Sequence, residues 1–201
     1  ALPAAEEAPA LPATSIYEDA VANEARPEAD RARDEGRKPA EVLEFLGIAP
    51  GMTVLDMFSG GGYYTEILSY TVGNSGRIIA QSNKAYLQFV GEEFENRYLG
   101  GRLGNVQVLM AENNELELEP DSLDAIMLVL SFHDLYYAAP EDGWPAIDVP
   151  AFLAELHSGL RTGGLVGIID HYAADGAPSE TGSTTHRIDP AIVIAAMTEA
   201  G

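Results

Sequence analysis

Val54-Leu55-Asp56-Met57-Phe58-Ser59-Gly60-Gly61-Gly62-Tyr63-Tyr64-Thr65 joins a short apolar run to a helical stretch through three consecutive glycines. The run, Thr53–Phe58, follows the turn Ala49-Pro50-Gly51-Met52 and reads as a strand; a helix is expected from Tyr63 to about Val72. Glycines at such a bend let the backbone take φ > 0 and approach a ligand closely. The N–H groups that open the next helix can then hold an anion, such as a carboxylate or a phosphate. A glycine bend alone serves equally well as a tight turn. Asp56, four residues before Gly60, narrows the choice, because a carboxylate there disfavours phosphate and suits a ligand with a cationic amino group.

On either side of this unit strands and helices alternate. Gly73-Asn74-Ser75-Gly76 turns into a second strand, Arg77–Gln81. Ala85–Leu99 carries Leu87, Val90, Phe94 and Tyr98 at helical spacing. Val106–Ala111 and Leu123–Ser131 read as strands, the latter apolar enough to be buried on both faces. Pro150–Leu160 is a helix capped by Asp148, and Arg161-Thr162-Gly163-Gly164 is expected to turn into a fifth strand, Leu165–Asp170. Asp189-Pro190 opens a helix with Ile192, Val193, Ala196 and Met197 on one face, ending at Gly201. This order predicts an α/β domain: a mostly parallel sheet, right-handed crossovers and helices on both faces. The last helix is expected to feed a further strand. Ligands of such sheets bind beyond the carboxyl ends of the strands, where strand order reverses.

The chain has 201 residues, with 11 Lys+Arg against 32 Asp+Glu and a net charge of −21. That excess argues against a nucleic-acid partner and against docking on an anionic membrane. No apolar run approaches the roughly 20 residues of a membrane span. Zero Cys excludes disulfides, thiol nucleophiles and Cys-ligated metals. Residues 1–14 are Ala/Pro/Glu-rich and read as a solvated tether, 15–39 as an N-terminal helical extension, and 40–201 as the α/β domain. A tether of this kind often follows a cleaved signal peptide, so a periplasmic or otherwise extracytoplasmic address is expected, with the cytoplasm as the alternative. Arg26, Arg31, Arg33, Arg37 and Lys38 alternate with acids and predict a salt-bridged helix and turn; if that segment covers the glycine bend, Arg37 or Lys38 would stand near its entrance.

From about Pro39 to Gly201 the chain resembles the class I S-adenosylmethionine-dependent methyltransferases, which have a Rossmann-like fold and an Asp/Glu-x-Gly-x-Gly-x-Gly loop. It looks especially like predicted methyltransferases of exported bacterial proteins that carry Gly-Gly-Gly-Tyr-Tyr-Thr-Glu, here residues 60–66. The resemblance implies S-adenosylmethionine as cofactor. It implies that Asp56 orients the methionine amino group and that Ser59, Gly60, Gly61 and Gly62 line the cofactor. Two departures stand out. Phe58 replaces the first family glycine, leaving less room at the methionine end. The second strand ends Gln81-Ser82-Asn83, where the family has an acid for the ribose; Ser82 is the candidate in its place. Glu112 and Asn113, after the third strand, resemble the adenine-contact position, and Ser131 follows the fourth.

Ser131-Phe132-His133-Asp134-Leu135-Tyr136-Tyr137 stands where the family places its acceptor side. A methyl sulfonium is already activated, so the protein must align it and take the proton of a protic acceptor. Histidine suits that transfer near neutral pH. His133 is the candidate base, with Asp134 to orient it or to serve in its stead. Tyr63 and Tyr64 are expected to face Tyr136 and Tyr137, and Trp144 lies on a loop that could cover the acceptor. Asp170-His171 and His186-Arg187 bracket a Gly/Ala/Ser/Thr-rich loop at the same edge, and His157 lies in a helix. Carboxylate and imidazole suit zinc, manganese or iron, but no local spacing such as His-x-x-x-His supports a metal, and none is assigned. The expected function is methyl transfer from S-adenosylmethionine to a small molecule. The alternative is an extracytoplasmic domain of this fold that has lost the cofactor and binds another ligand or a metal. A dinucleotide oxidoreductase is disfavoured by the absence of a Gly-x-Gly-x-x-Gly spacing.

Overall fold

Alternation along the first strand sets the layers of the molecule. In the computed structural model, which describes residues 15–201, β1 (Thr53–Met57) turns Val54 into one apolar cluster and Leu55 and Met57 into another. β4 (Leu123–Val129) alternates likewise, with Ala125 and Met127 on the first side and Ile126 and Leu128 on the second. A sheet apolar on both faces needs helices on both. On the Val54 side pack α1 (Ile16–Val21), α4 (Pro39–Phe45) and α5 (Tyr63–Val72). On the Leu55 side pack α7 (Val149–Gly159) and α9 (Pro190–Ala200).

The sheet is completed by β2 (Arg77–Ser82), β3 (Val106–Met110) and β5 (Leu160–Ile169), all parallel, in the order β3-β2-β1-β4-β5. Strand order reverses between β1 and β4, so the site is expected at their carboxyl ends. The segment Arg161–Gly164, expected as a turn, is part of β5. Pairing jumps from Leu123↔Leu160 to Ala125↔Leu165, and Gly163 at φ 84° absorbs the extra residues as a bulge. Arg161 pairs with Asp124 at 2.5 Å across it. The 1–14 tether lies outside the described residues. No helix of the described residues is long and apolar enough to cross a membrane.

Two short helices, α2 (Glu28–Arg31) and α3 (Asp34–Arg37), bring the basic segment over the start of α5. Arg26 makes two hydrogen bonds to Asp34, at 2.7 and 2.8 Å, and Arg33 pairs with Asp30. Helix α6 (Lys84–Tyr98), capped by Asn83, completes a buried network: Arg97 pairs with both Asp30 and Glu66, and Arg102 also pairs with Glu66. Arg97 further donates to the Gly61 carbonyl at 2.7 Å. The extension, α6 and the glycine bend are thereby tied together.

Candidate active site

The bend after β1 is left-handed at three of its residues: Phe58 at φ 51°, Gly60 at 56° and Gly62 at 79°. At Phe58 that conformation costs about 1–2 kcal/mol. It is offset by a hydrogen bond from its N–H to Gln81 Oε1 at 3.0 Å and by burial of the ring beside Leu55, Phe132 and Tyr86. The ring that stands in the place of a family glycine is therefore packed into the core. A cleft of about 200 Å³ remains, bounded by Asp56, Ser59, Gly60, Gly61, Gly62 and the N-terminal residues Arg33 and Arg37.

The glycines also have a second reason to be there. A Cβ on Gly60 would meet the Tyr86 ring at 3.0 Å, and one on Gly62 the Tyr98 hydroxyl at 2.5 Å. One on Gly61 would run into Glu93. All three neighbours belong to α6, so the bend both bounds the cleft and seats that helix.

Asp56, 3% exposed, points to the α5 face, where the Thr65 hydroxyl donates to it at 2.5 Å. Thr65 is itself 2.9 Å from the Tyr98 hydroxyl. No basic side chain of the described residues pairs with Asp56. Burial pushes its carboxyl up to about 7 against the Thr65 hydrogen bonds. A buried carboxyl without a cation thus stands at the edge of the cleft.

At the second strand end the polar groups are already used. Gln81 spends Oε1 on Phe58 and Nε2 on the Ala111 carbonyl and Asn113 Oδ1, and Asn83 caps α6. The Ser82 hydroxyl is buried, 3.3 Å from that of Ser59. Asn113 is thus held internally, whereas Glu112 Oε2 and Ser131 Oγ are buried with no hydrogen-bond partner among the described residues.

A second cleft, of about 670 Å³, adjoins the first and shares Tyr86, Val90 and Leu130 with it. One wall is aromatic: the Trp144 ring lies 5.8 Å from Tyr86, 5.5 Å from Tyr137 and 6.3 Å from Phe89. Trp144 is buried and fixed by backbone pairing with Ala139, so it is a wall of the cleft. The two tyrosine pairs do not face each other as expected. Tyr63 and Tyr64 pack under the N-terminal helices, where Tyr63 donates to Asp34 at 2.5 Å and has Arg37 stacked 4.6 Å above its ring.

The opposite wall holds His133 and Asp134, on a 3₁₀ turn after β4, with Asp170 at the end of β5. The sequence suggested Asp134 as the orienting group. The structure gives that position to Asp170, which accepts from the His133 amide at 2.9 Å and lies 2.7 Å from its Nδ1. Asp134 lies 3.3 Å from Nε2 on the other side of the ring. Burial opposes the imidazolium, but the Asp170 hydrogen bond and the charges of Asp134 and Asp170 outweigh it and raise the His133 pKa. Burial also raises the Asp134 carboxyl, while hydrogen bonds from His133 and His171 overcome burial and lower that of Asp170. Helix α8 (Thr181–Thr185) lies against the His133 turn and ends at His186, whose ring is 5.3 Å from that of His133. His171 also lines this cleft. His157 lies in α7, away from both clefts.

A parallel sheet with a buried, cation-free carboxylate beside the glycine bend at its switch point, and a second cleft adjoining the first, defines the class of protein as a Rossmann-like α/β domain. The family model for protein-L-isoaspartate(D-aspartate) O-methyltransferase matches residues 32–111. A methyltransferase dependent on S-adenosylmethionine (SAM) from Aquifex aeolicus is 30% identical, with 85% of this chain and 82% of that one covered and a TM-score of 0.64. The chain belongs to the class I S-adenosylmethionine-dependent methyltransferases. The ubiquinone/menaquinone biosynthesis C-methyltransferase UbiE of Idiomarina loihiensis is 30% identical over 95 residues, 47% of this chain and 37% of that protein. Its counterpart in Legionella pneumophila is 36% identical over 81 residues, 36% of this chain and 31% of that protein. The matches therefore span about a third of these curated relatives. The arsenic(III) S-adenosylmethionine methyltransferase of Chlamydomonas reinhardtii shares the fold, at 22% identity and a TM-score of 0.56 over 88% of this chain and 62% of that one.

S-adenosylmethionine is the cofactor this family implies, and the residues present fit it. Asp56 is a buried carboxylate that lacks a cation and borders the smaller cleft. Glu112 Oε2 and Ser131 Oγ are buried polar atoms that lack partners, although Ser82, Glu112, Asn113 and Ser131 are not among the residues that bound either cleft.

Proposed function

We propose that the protein transfers the methyl group of S-adenosylmethionine to a small protic molecule held in the larger cleft. The observation that carries this reading is Asp56, buried beside the glycine bend with only hydroxyl and amide support from Thr65. When bound, the cofactor supplies an electrophilic methyl on a sulfonium. Asp56 would hold the ammonium of its methionine end. Glu112 and Ser131 would satisfy polar atoms of the adenosyl half, with Ser82 and Ser59 beside them. Gly60, Gly61 and Gly62 leave the backbone open to that ligand.

On the acceptor side Asp170 fixes the His133 ring from Nδ1, so Nε2 is the nitrogen left to take a proton. Nε2 would take the proton of an acceptor X–H as X gains the methyl, a transfer that would leave the cofactor as a neutral thioether and His133 as the imidazolium. Asp134, beside Nε2, would favour the imidazolium that results. The aromatic wall of Tyr86, Tyr137 and Trp144 suits a planar acceptor. Titration calorimetry with S-adenosylmethionine and S-adenosylhomocysteine is the direct test. Heat with saturation near one ligand per chain is expected; no heat at millimolar ligand overturns the proposal.

A further inference from the structure

The acceptor wall also offers its His133 and Asp134 side chains to a different chemistry, together with His186, which base catalysis does not use. Three ligating side chains converge there from two separate segments: His133 Nε2, an Asp134 carboxylate oxygen and a ring nitrogen of His186, all within 4.8 Å of one another. We propose that these three form a binding site for a divalent transition-metal ion, zinc being the reference ion. The site does not require methyl transfer and stands apart from that reading.

The spacing suits a metal. Bonds of about 2.0–2.1 Å in a tetrahedral centre place neighbouring ligand atoms roughly 3.3 Å apart. The His133 Nε2–Asp134 Oδ1 separation is 3.3 Å, and His186 Nδ1 lies 4.0 Å from the same oxygen. His186 is two-thirds exposed. The surroundings suit it as well. Histidines that bind metal hold their second ring nitrogen against a carboxylate or carbonyl, which fixes the ring and directs the other nitrogen at the ion. Asp170 does this to His133 at 2.7 Å. Two carboxylates, Asp134 and Asp170, thus meet one buried imidazole, and a dication offsets their charge. Neither ring nitrogen of His186 makes a hydrogen bond among the described residues; its ion-pair contact is the one to Asp134.

Packing places His186 where it is. Gly182 of α8 rests on the His133 carbonyl, with no room for a Cβ, and Ser183 donates to the Tyr136 carbonyl at 3.1 Å. The α8 cap then takes φ 51° at His186, a conformation that histidine adopts more readily than most residues. Two imidazoles and one carboxylate suit zinc, iron(II) or manganese(II) and leave positions free for water or a bound acceptor. The open side faces the 670 Å³ cleft. A metal on Nε2 occupies the lone pair that would otherwise take a proton, so the loaded and the base-competent forms exclude each other.

The test is calorimetry of zinc chloride into the whole chain after chelator treatment, with cobalt(II) visible absorption as a second reporter of coordination. One ion per chain is expected, together with cobalt bands of low coordination number. His186→Ala, an exposed change, should weaken zinc by tenfold or more, and Asp170→Asn by about 10-fold to 100-fold. Glu92→Gln with Glu95→Gln, on exposed α6 positions, should leave zinc affinity unchanged. No binding at millimolar zinc overturns the proposal, and so does equal affinity in wild type and His186→Ala, the mark of diffuse attraction to a chain of charge −21. S-adenosylhomocysteine titrated into the same samples keeps a failure here separate from a failure of the cofactor reading.

Discussion

His133 and Asp170 are joined twice, by the amide of the one to Oδ2 of the other at 2.9 Å and by Nδ1 to Oδ1 at 2.7 Å. They are 37 residues apart and stand on the ends of the neighbouring strands β4 and β5. The carboxylate therefore fixes both the backbone turn and the ring it carries.

Replacing that carboxylate should be visible in the imidazole itself. Asp170→Asn removes the charge and leaves one acceptor oxygen where His133 now uses two, so the His133 pKa should fall in an NMR titration. His133, raised when folded, contributes stability below its unfolded pKa and loses it as pH climbs through the folded one. Asp170, lowered when folded, contributes above its unfolded pKa and loses it as pH falls through the folded one. The wild type should exceed the variant most between about pH 4 and about 6.5, the two unfolded values, by about 1–3 kcal/mol in urea unfolding. Equal stability of the two proteins across that range would refute the pairing.

Asp56 works in the opposite sense. Its carboxyl is raised when folded, so burial costs nothing below its unfolded pKa. The cost then grows with pH until the folded value of about 7. Asp56→Asn should therefore gain in stability on the wild type as pH rises from about 4 to 7, read by thermal melts of the free protein.

The same residue sets how the cofactor binds with pH. An ammonium favours the ionised carboxylate, so affinity for S-adenosylhomocysteine should rise with pH and level off above about 7. Below that point binding should release a proton, and the calorimetric heat should depend on the ionisation enthalpy of the buffer. At pH 8 Asp56→Asn should lose about 10-fold to 100-fold in affinity, since a hydrogen bond to a charged group contributes about 1.5–3 kcal/mol.

Arg97 neutralises Glu66 and Asp30 in the interior, with Arg102 helping only the first. Arg97→Met leaves Asp30 with the half-exposed Arg33 alone. The change should destabilise by about 3–5 kcal/mol in urea unfolding.

Two adjacent glycines should respond differently to a methyl group. At Gly61 the obstacle is Glu93, an exposed and flexible side chain. At Gly62 it is the Tyr98 ring, and the backbone is at φ 79°. Gly62→Ala should cost about 1–3 kcal/mol and Gly61→Ala less, by denaturant midpoint.

The strand–glycine–helix unit and the sheet were legible because their signals are local: period-two alternation, glycine bends and caps. What escaped was set by contacts across the chain. Helix α6 reads as Leu87, Val90, Phe94 and Tyr98 on hydrophobicity, yet part of its contact with the bend is made by Tyr86, Glu93 and Arg97. Charged residues on an inward face carry no apolar signal. Asp170 was not legible as the Nδ1 partner of His133, because adjacency in sequence pointed to Asp134, which meets the ring at Nε2 instead. The approach of His186 depends on how α8 docks, and the glycine at 182 that permits it looks like any loop residue. The Arg161–Gly164 stretch has the composition of a turn but is held in the sheet by Asp124.

Because Tyr86, Glu93 and Tyr98 fill the space beside Gly60, Gly61 and Gly62, those three positions answer to two masters. A lineage that abandoned the donor would still lose stability on replacing these glycines, most at Gly62. Among descendants of this chain, survival of the signature would say little about enzymatic competence. Erosion of the acid at 56, whose partner in the fold is the Thr65 hydroxyl, would be the more telling sign of its loss.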